Sequence, residues 1–216
     1  MRIGILGTGT VGQTFGTRLR NLDHDVTLGA REAGNPRAVD WAEAHAAKCG
    51  TFADAVAGAD LVINATAGQY AVGGLEMAGG NAALAGKVVL DVSNPLDFAT
   101  GELRLTVCNT DSVGEQIQRA FPDARVVKSL NTVNGSVMVE PTLVPGPHTI
   151  FIAGEDADAK RVVLGLLGEL GWAPGNVLDL GGIKAARGME MYMPLWVSIM
   201  QAVDGNLAFN INVVQG

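Results

Sequence analysis

Residues 3–12 read Ile-Gly-Ile-Leu-Gly-Thr-Gly-Thr-Val-Gly, which sets Gly7, Gly9 and Gly12 in the spacing G-x-G-x-x-G directly after an apolar run. That spacing suits the diphosphate of a dinucleotide. Gly7 permits a tight turn, Gly9 lets the phosphates approach the backbone, and Gly12 lets the following helix pack closely on the strand. The N-terminus of that helix would then face the negative charge.

A second chemical signal lies in residues 25–37, Asp-Val-Thr-Leu-Gly-Ala-Arg-Glu-Ala-Gly-Asn-Pro-Arg. In dinucleotide-binding folds an acidic residue after the second strand binds the ribose 2′-hydroxyl of NAD, whereas an arginine nearby accommodates the 2′-phosphate of NADP. This chain has Gly29 and Ala30 where the acid is expected, then Arg31, 19 residues beyond Gly12, with Arg37 as a second cation. A guanidinium can pair with phosphate and stack on an adenine. The competing reading gives the ribose to Glu32 and leaves Arg31 as a surface charge; the pattern favours NADP.

Small and polar residues follow three other apolar runs: Thr66-Ala67-Gly68-Gln69, Ser93-Asn94-Pro95 and Ser129-Leu130-Asn131-Thr132. At the carboxyl ends of parallel strands such residues line the ligand cleft, although turn chemistry alone also selects them. No side-chain acid or base stands out. His24 reads as a solvated turn residue, His45 falls on a helix and His148 begins a strand. Lys128 is the one candidate, and on an alternating strand it could equally face away. Neither a Ser/His/Asp or Cys/His arrangement nor a metal-ligand spacing occurs. Hydride exchange between two redox cofactors has little need of a side-chain proton donor, and the pattern leans towards that class.

The scaffold for these residues is legible as alternation. Apolar runs at 2–7, 25–28, 61–65, 88–92, 125–130, 149–153 and 177–180 predict strands. Helical patterns fall at 11–21, 38–47, 73–84, 112–121, 157–170 and about 184–204. Nearly all-apolar strands alternating with helices predict an α/β, Rossmann-type doubly wound parallel sheet with a small helical C-terminal extension. We expect a dinucleotide-binding domain over 1–153 and an extension over 154–216, packed as a single compact unit. The methionine-rich stretch 189–200 reads equally as cover for a planar ring, a dimer interface or core, with Pro194 starting or kinking a helix.

Bulk properties narrow the partners. The chain has 216 residues, a formal net charge of −7 and scattered Lys and Arg, which argues against a nucleic-acid partner. No stretch suits a membrane span or a targeting leader. Cys49 and Cys108 have no pair spacing, which suits a reducing compartment. The expectation is a cytoplasmic protein.

The fingerprint from Gly7 to Gly12, the Leu28-Gly29-Ala30-Arg31 turn, the segment 126–132 and the methionine-rich tail together resemble the NADP oxidoreductases dependent on coenzyme F420, over essentially the whole chain. The resemblance implies a homodimer through the C-terminal Met-rich helix and hydride transfer between NADP(H) and the deazaflavin F420. It implies Thr8, Gly9, Thr10 and Val11 under the diphosphate and Arg31 and Arg37 on the 2′-phosphate. Thr66 and Ala67 would lie beside the nicotinamide, with Asn94 lining the same cleft, and Ser129 and Asn131 would approach the deazaflavin ring. Archaeal members carry Ser and His where this chain has Ala30 and Asn131. The Lys-x-x-Asn-Thr segment, 128–132, also resembles bacterial relatives and the reductase domain of membrane-bound metalloreductases, so a flavin or another small acceptor stays open as the alternative. A non-catalytic NADP-binding redox sensor is the reading from another class.

Overall fold

The computed structural model describes residues 1–214 and 216. In chain order the first half alternates β1 (Arg2–Leu6), α1 (Thr10–Asn21), β2 (Asp25–Ala30), α2 (Pro36–Ala44), β3 (Lys48–Thr51), α3 (Phe52–Val56) and β4 (Leu61–Asn64). Then come α4 (Ala71–Met77), α5 (Gly80–Leu84), β5 (Val88–Asp91), the short strands β6 (Leu96–Asp97) and β7 (Arg104–Leu105), and α6 (Val113–Ala120). The remainder comprises β8 (Arg125–Ser129), α7 (Gly135–Val139), β9 (Ile150–Ala153), α8 (Ala157–Leu170), β10 (Val177–Asp179), α9 (Ala186–Met191) and α10 (Met193–Ala202).

Eight strands make one sheet in the order β10-β9-β8-β5-β4-β1-β2-β3, with β6 and β7 as a separate antiparallel ribbon. Successive strand residues point to opposite faces, and both faces are covered. Ile3, Ile5, Leu61, Ile63, Val88 and Leu90 join a core with Phe15, Leu19 and Trp41. Their neighbours Leu6, Val62, Val89 and Val126 join a second core with Phe52, Leu75, Ile117 and Phe121. The chain winds one way from β1 to β3 and the other way through β4, β5 and β8. The switch point therefore lies between β1 and β4, where a ligand crevice is expected.

The predicted Rossmann-type sheet is present and mostly parallel, with one departure: β9 runs antiparallel to β8, and β10 is parallel to β9. A run buried on both faces reads the same in either direction, so apolar content does not reveal strand direction. β10 also brings residues expected in the C-terminal extension into the same sheet.

Five elements escaped the sequence pattern, two of them the two-residue strands β6 and β7. β3, Lys-Cys-Gly-Thr, is a half-exposed edge strand without an apolar run. α3 begins with a reciprocal capping box between Thr51 and Asp54. α7 is only five residues long. The helix predicted over 73–84 is broken at Gly79, whose φ of 109° no L-residue adopts comfortably. The helix predicted over 184–204 is two, meeting at Tyr192, with Pro194 in the first turn of α10 as expected. Of the ten residues of α10 only Met193 is buried.

Candidate active site

The loop after β1 is built for close approach. Gly7 sits at φ 120°, and a Cβ there would lie 2.7 Å from the Ala65 carbonyl oxygen. A Cβ on Gly12 would run into the Gly7 carbonyl oxygen, so helix α1 packs onto its own entry turn only because that side chain is absent. A Cβ on Gly9 would meet nothing within 4 Å. Gly9 therefore faces open space, which is where a ligand would lie. Helix α1 has no side-chain cap and no acidic residue in its first turn, so its first backbone N–H groups are left for an anion.

Two lobes of one crevice meet at this loop, sharing Gly9, Ala65, Thr66 and Ala67. The first, of about 590 Å³, runs from Gly7 and Thr8 to Ala30, Arg31, Asn35 and Phe52. Ala30 ends β2 and lines this lobe, at the position where a ribose-binding carboxylate would stand. Arg31 is exposed and enters no salt bridge among the described residues, and Glu32 does not line the lobe. Gly29 has a packing reason as well, because a Cβ there would lie 2.9 Å from Ala55 Cβ.

The second lobe, of about 390 Å³, is a slot between the phosphate loop, the ends of β4, β5 and β8, and the start of α10. Its walls include Val11, Val92, Asn94, Asn131, Met193 and Trp196. None of its lining residues carries an ionisable side chain. Asn94 and Asn131 are joined reciprocally: Asn94 Nδ2 donates to the Asn131 carbonyl at 2.7 Å, and Asn131 Nδ2 donates to Asn94 Oδ1 at 2.9 Å. Asn131 Nδ2 also donates to the Met189 carbonyl at 3.1 Å, while Asn131 Oδ1 is buried without a partner. An orphaned buried acceptor is costly unless something donates to it. The residues present thus fit a ligand with an N–H or O–H at its edge.

Behind the slot lies a polar ladder that sequence reasoning missed. Asn64, Asp91 and Lys128 are in register across β4, β5 and β8, each near the carboxyl end of its strand. Asn64 Nδ2 donates to Asp91 Oδ1 at 2.8 Å, and Lys128 Nζ contacts Asp91 Oδ2 at 2.7 Å, the Ser93 carbonyl at 2.6 Å and Glu190 Oε1 at 2.9 Å. Glu190, on α9, also accepts from the Val113 and Gly114 amides at the start of α6. Burial pushes the Lys128 ammonium down, but Asp91 and Glu190 outweigh it and hold it above the ordinary lysine range. The sequence shows only a polar residue at or near the carboxyl end of each of these three strands, which does not by itself reveal that they meet.

The ladder also decides between the two readings of Lys128. Its side chain is fully buried in the ion cluster and does not line the slot. Ser129, next on the strand, points the other way, and its hydroxyl donates to the Phe151 carbonyl at 2.6 Å. The expectation that Ser129 approaches the acceptor ring is therefore not met by its position: β8 alternates, and β9 takes the hydroxyl. Thr8, Gly9, Thr10, Val11, Thr66, Ala67, Asn94 and Asn131 do line the crevice. Arg37 lies apart from Arg31, in a polar depression on the far side of Thr8 that also includes Arg18 and Glu140. His24 is buried, bonded through Nε2 to Glu169 at 2.7 Å, rather than solvated.

Residues 2–95 match the family model for NADP oxidoreductase, coenzyme F420-dependent. A crystal structure from Arthrobacter sp. FB24, provisionally named an F420-dependent NADP-reductase, is similar at TM-score 0.93 and 45% identity, with 100% of both chains covered. Metalloreductase STEAP3 of Rattus norvegicus is 28% identical over 200 residues, 90% of this chain. The chain spans only 38% of the length of that curated relative. An imine reductase from Aspergillus terreus shares the fold at TM-score 0.64 and 19% identity, over 94% of this chain and 62% of its own. No helix among the described residues is long and apolar enough to cross a membrane. With 45% identity to the Arthrobacter protein over the full length of both chains, and the family model matched over residues 2–95, the chain belongs to the coenzyme F420-dependent NADP oxidoreductase family and is an NADP-dependent oxidoreductase.

Proposed function

We propose that this protein transfers hydride between NADP(H) and the deazaflavin coenzyme F420 within the two-lobed crevice. The observation that carries the reading is the slot beside the phosphate loop, large enough for stacked planar rings and lined by no ionisable side chain. Reduction of a simple carbonyl wants a positioned general acid, and the slot offers no ionisable side chain for that role. When bound, NADPH supplies the hydride, and the acceptor's second hydrogen comes as a proton from water.

The chain's own contribution is then binding, orientation and exclusion of solvent. Thr8, Gly9, Thr10 and Val11 hold the diphosphate with backbone N–H groups at the start of α1. Arg31 pairs with the 2′-phosphate, whereas Arg37, in the separate depression beyond Thr8, is not needed for it. Thr66, whose hydroxyl is fixed on Asn64 Oδ1 at 2.7 Å, and Ala67 border the nicotinamide. Asn94 and Asn131 present the amide edge of the slot, and Met193 and Trp196 cover it from α10.

The nearly unburied apolar helix α10, with Leu195 56% exposed, supports a homodimer formed through the Met-rich C-terminal helix. The free cysteines Cys49 and Cys108 fit a reducing, cytoplasmic setting. The test of the reaction is an acceptor panel: NADPH with oxidised F420, FMN or FAD, each followed by loss of acceptor absorbance. Bleaching of F420 supports the reading. Turnover with a flavin alone would replace the acceptor, and tight NADPH binding with no turnover would make the chain a redox sensor.

A further inference from the structure

Lys128, Asp91 and Glu190 form a fully buried cluster of one cation and two carboxylates. Such a cluster is an expensive way to hold a core together, since apolar residues of similar volume often do it better. Its cost calls for another role, and its connections indicate one. The Ser93 carbonyl that takes Lys128 Nζ is one residue from Asn94, and Glu190 is one residue from Met189. Asn94 Oδ1 and the Met189 carbonyl are the two groups on which Asn131 Nδ2 spends its hydrogens. The ion cluster thus fixes both anchors of the Asn131 amide and leaves its Oδ1 buried without a partner in a residue that lines the slot. Glu190 also ties α9 to the first amides of α6, and α9 leads directly into Met193 and Trp196, which cover the same slot.

The geometry points to Lys128 and Glu190 as positioning residues that seat α9 and α10 over the acceptor slot and aim the Asn131 amide into it. This rests on the hydride-transfer reading given above. Neither residue touches the ligands; both act through Asn131 and the α9–α10 cover.

The variant Glu190→Gln removes one charge with little change of shape and leaves Lys128 paired to Asp91. We expect it to fold and to bind NADPH within about twofold of the parent, because the phosphate loop and Arg31 are untouched. The rate at saturating acceptor should fall on the order of tenfold to a hundredfold, the scale of an ångström-sized misplacement. Amide hydrogen exchange should accelerate in 186–202 and stay unchanged in 1–92. In a double-mutant cycle, adding E190Q to N131A should cost clearly less than E190Q costs alone, because the part of its effect that passes through Asn131 is already lost. Unchanged turnover, or losses that multiply in the double variant, would overturn the proposal. If E190Q melts without cooperativity, the charge-free variant Asp91→Asn, Lys128→Met, Glu190→Gln is the second arm. It should fold, bind NADPH and lose acceptor turnover, and full turnover in it would overturn the proposal equally. A parent protein that reduces no acceptor would sink the hydride-transfer reading instead. The exchange comparison would still show whether the cluster holds α9 and α10.

Discussion

Asn94 and Asn131 hold each other across the ends of β5 and β8, each amide Nδ2 donating to an oxygen of the other residue at 2.7 and 2.9 Å. The pair closes the loops around the slot and fixes Asn131 so that only its Oδ1 is free. Asn131→Ala should therefore lower kcat/KM for the acceptor by about tenfold to a hundredfold, the equivalent of roughly 1–3 kcal/mol for hydrogen bonds to a buried site. NADPH affinity, measured by fluorescence titration, should stay near the parent value. A loss confined to NADPH affinity would put Asn131 on the wrong side of the crevice.

Arg31 should govern the choice of cofactor. A charge-assisted contact with the 2′-phosphate is worth roughly 1.5–3 kcal/mol, so Arg31→Ala should reduce the NADPH/NADH affinity ratio by about ten- to a hundredfold. An unchanged ratio would return Arg31 to the status of a surface charge and reopen Glu32 as the ribose ligand.

The two ends of the glycine fingerprint should fail in different ways. A Cβ at Gly12 has nowhere to go, so Gly12→Ala should destabilise the fold by about 3 kcal/mol or more in denaturant melts. A Cβ at Gly9 meets only open space, so Gly9→Ala should melt like the parent and lose NADPH affinity. Equal stability losses in both variants would mean that Gly9 faces protein.

The pH dependence follows from the lining of the slot. With no ionisable side chain there, kcat at saturating NADPH and acceptor should be flat from about pH 6 to 9. Lys128 is held above its ordinary range. Its stabilising charge is therefore complete below about 10.4 and is lost only as pH rises through the still higher folded-state value. On the acid side, the Arg187 guanidinium holds Glu115 below the ordinary carboxylate range. That contribution is present above about 4.3 and fades as pH falls through the lower folded-state value. A bell-shaped kcat profile centred near neutrality would show a side-chain acid or base that the structure does not supply.

Self-association should depend on α10. Leu195→Glu places a charge on its exposed apolar face and should shift the protein from dimer to monomer in sedimentation velocity. A parent protein that sediments as a monomer would remove the dimer from the account.

Much of this architecture was legible because β1, β2, β4, β5 and β8 are short apolar runs separated by helical periods, and because the glycine spacing marks where a ligand must come closest. The direction of β9 was not legible, since Ile150–Ala153 is apolar on both faces and carries no sign of polarity. β3 was hidden by Lys48 and Gly50, and the breaks at Gly79 and Tyr192 by the apolar periodicity on either side of them. In the site, the place of Arg31 on the crevice wall could be read from a missing carboxylate. Asp91 and Glu190 could not, because a lone acid in an apolar run shows its meaning only when its partners from other elements converge on it. Ser129 failed for a local reason, the alternation of β8, which sends Lys128 and Ser129 to opposite sides.

The most direct test of the central claim is isotope transfer. NADPH deuterated at the transferring position of its nicotinamide would be mixed with oxidised F420 and the protein, and the reduced deazaflavin analysed by mass spectrometry. Direct hydride transfer within the crevice predicts bleaching of F420 and one deuterium in its reduced form. No bleaching, or a reduced product without deuterium, would contradict the account.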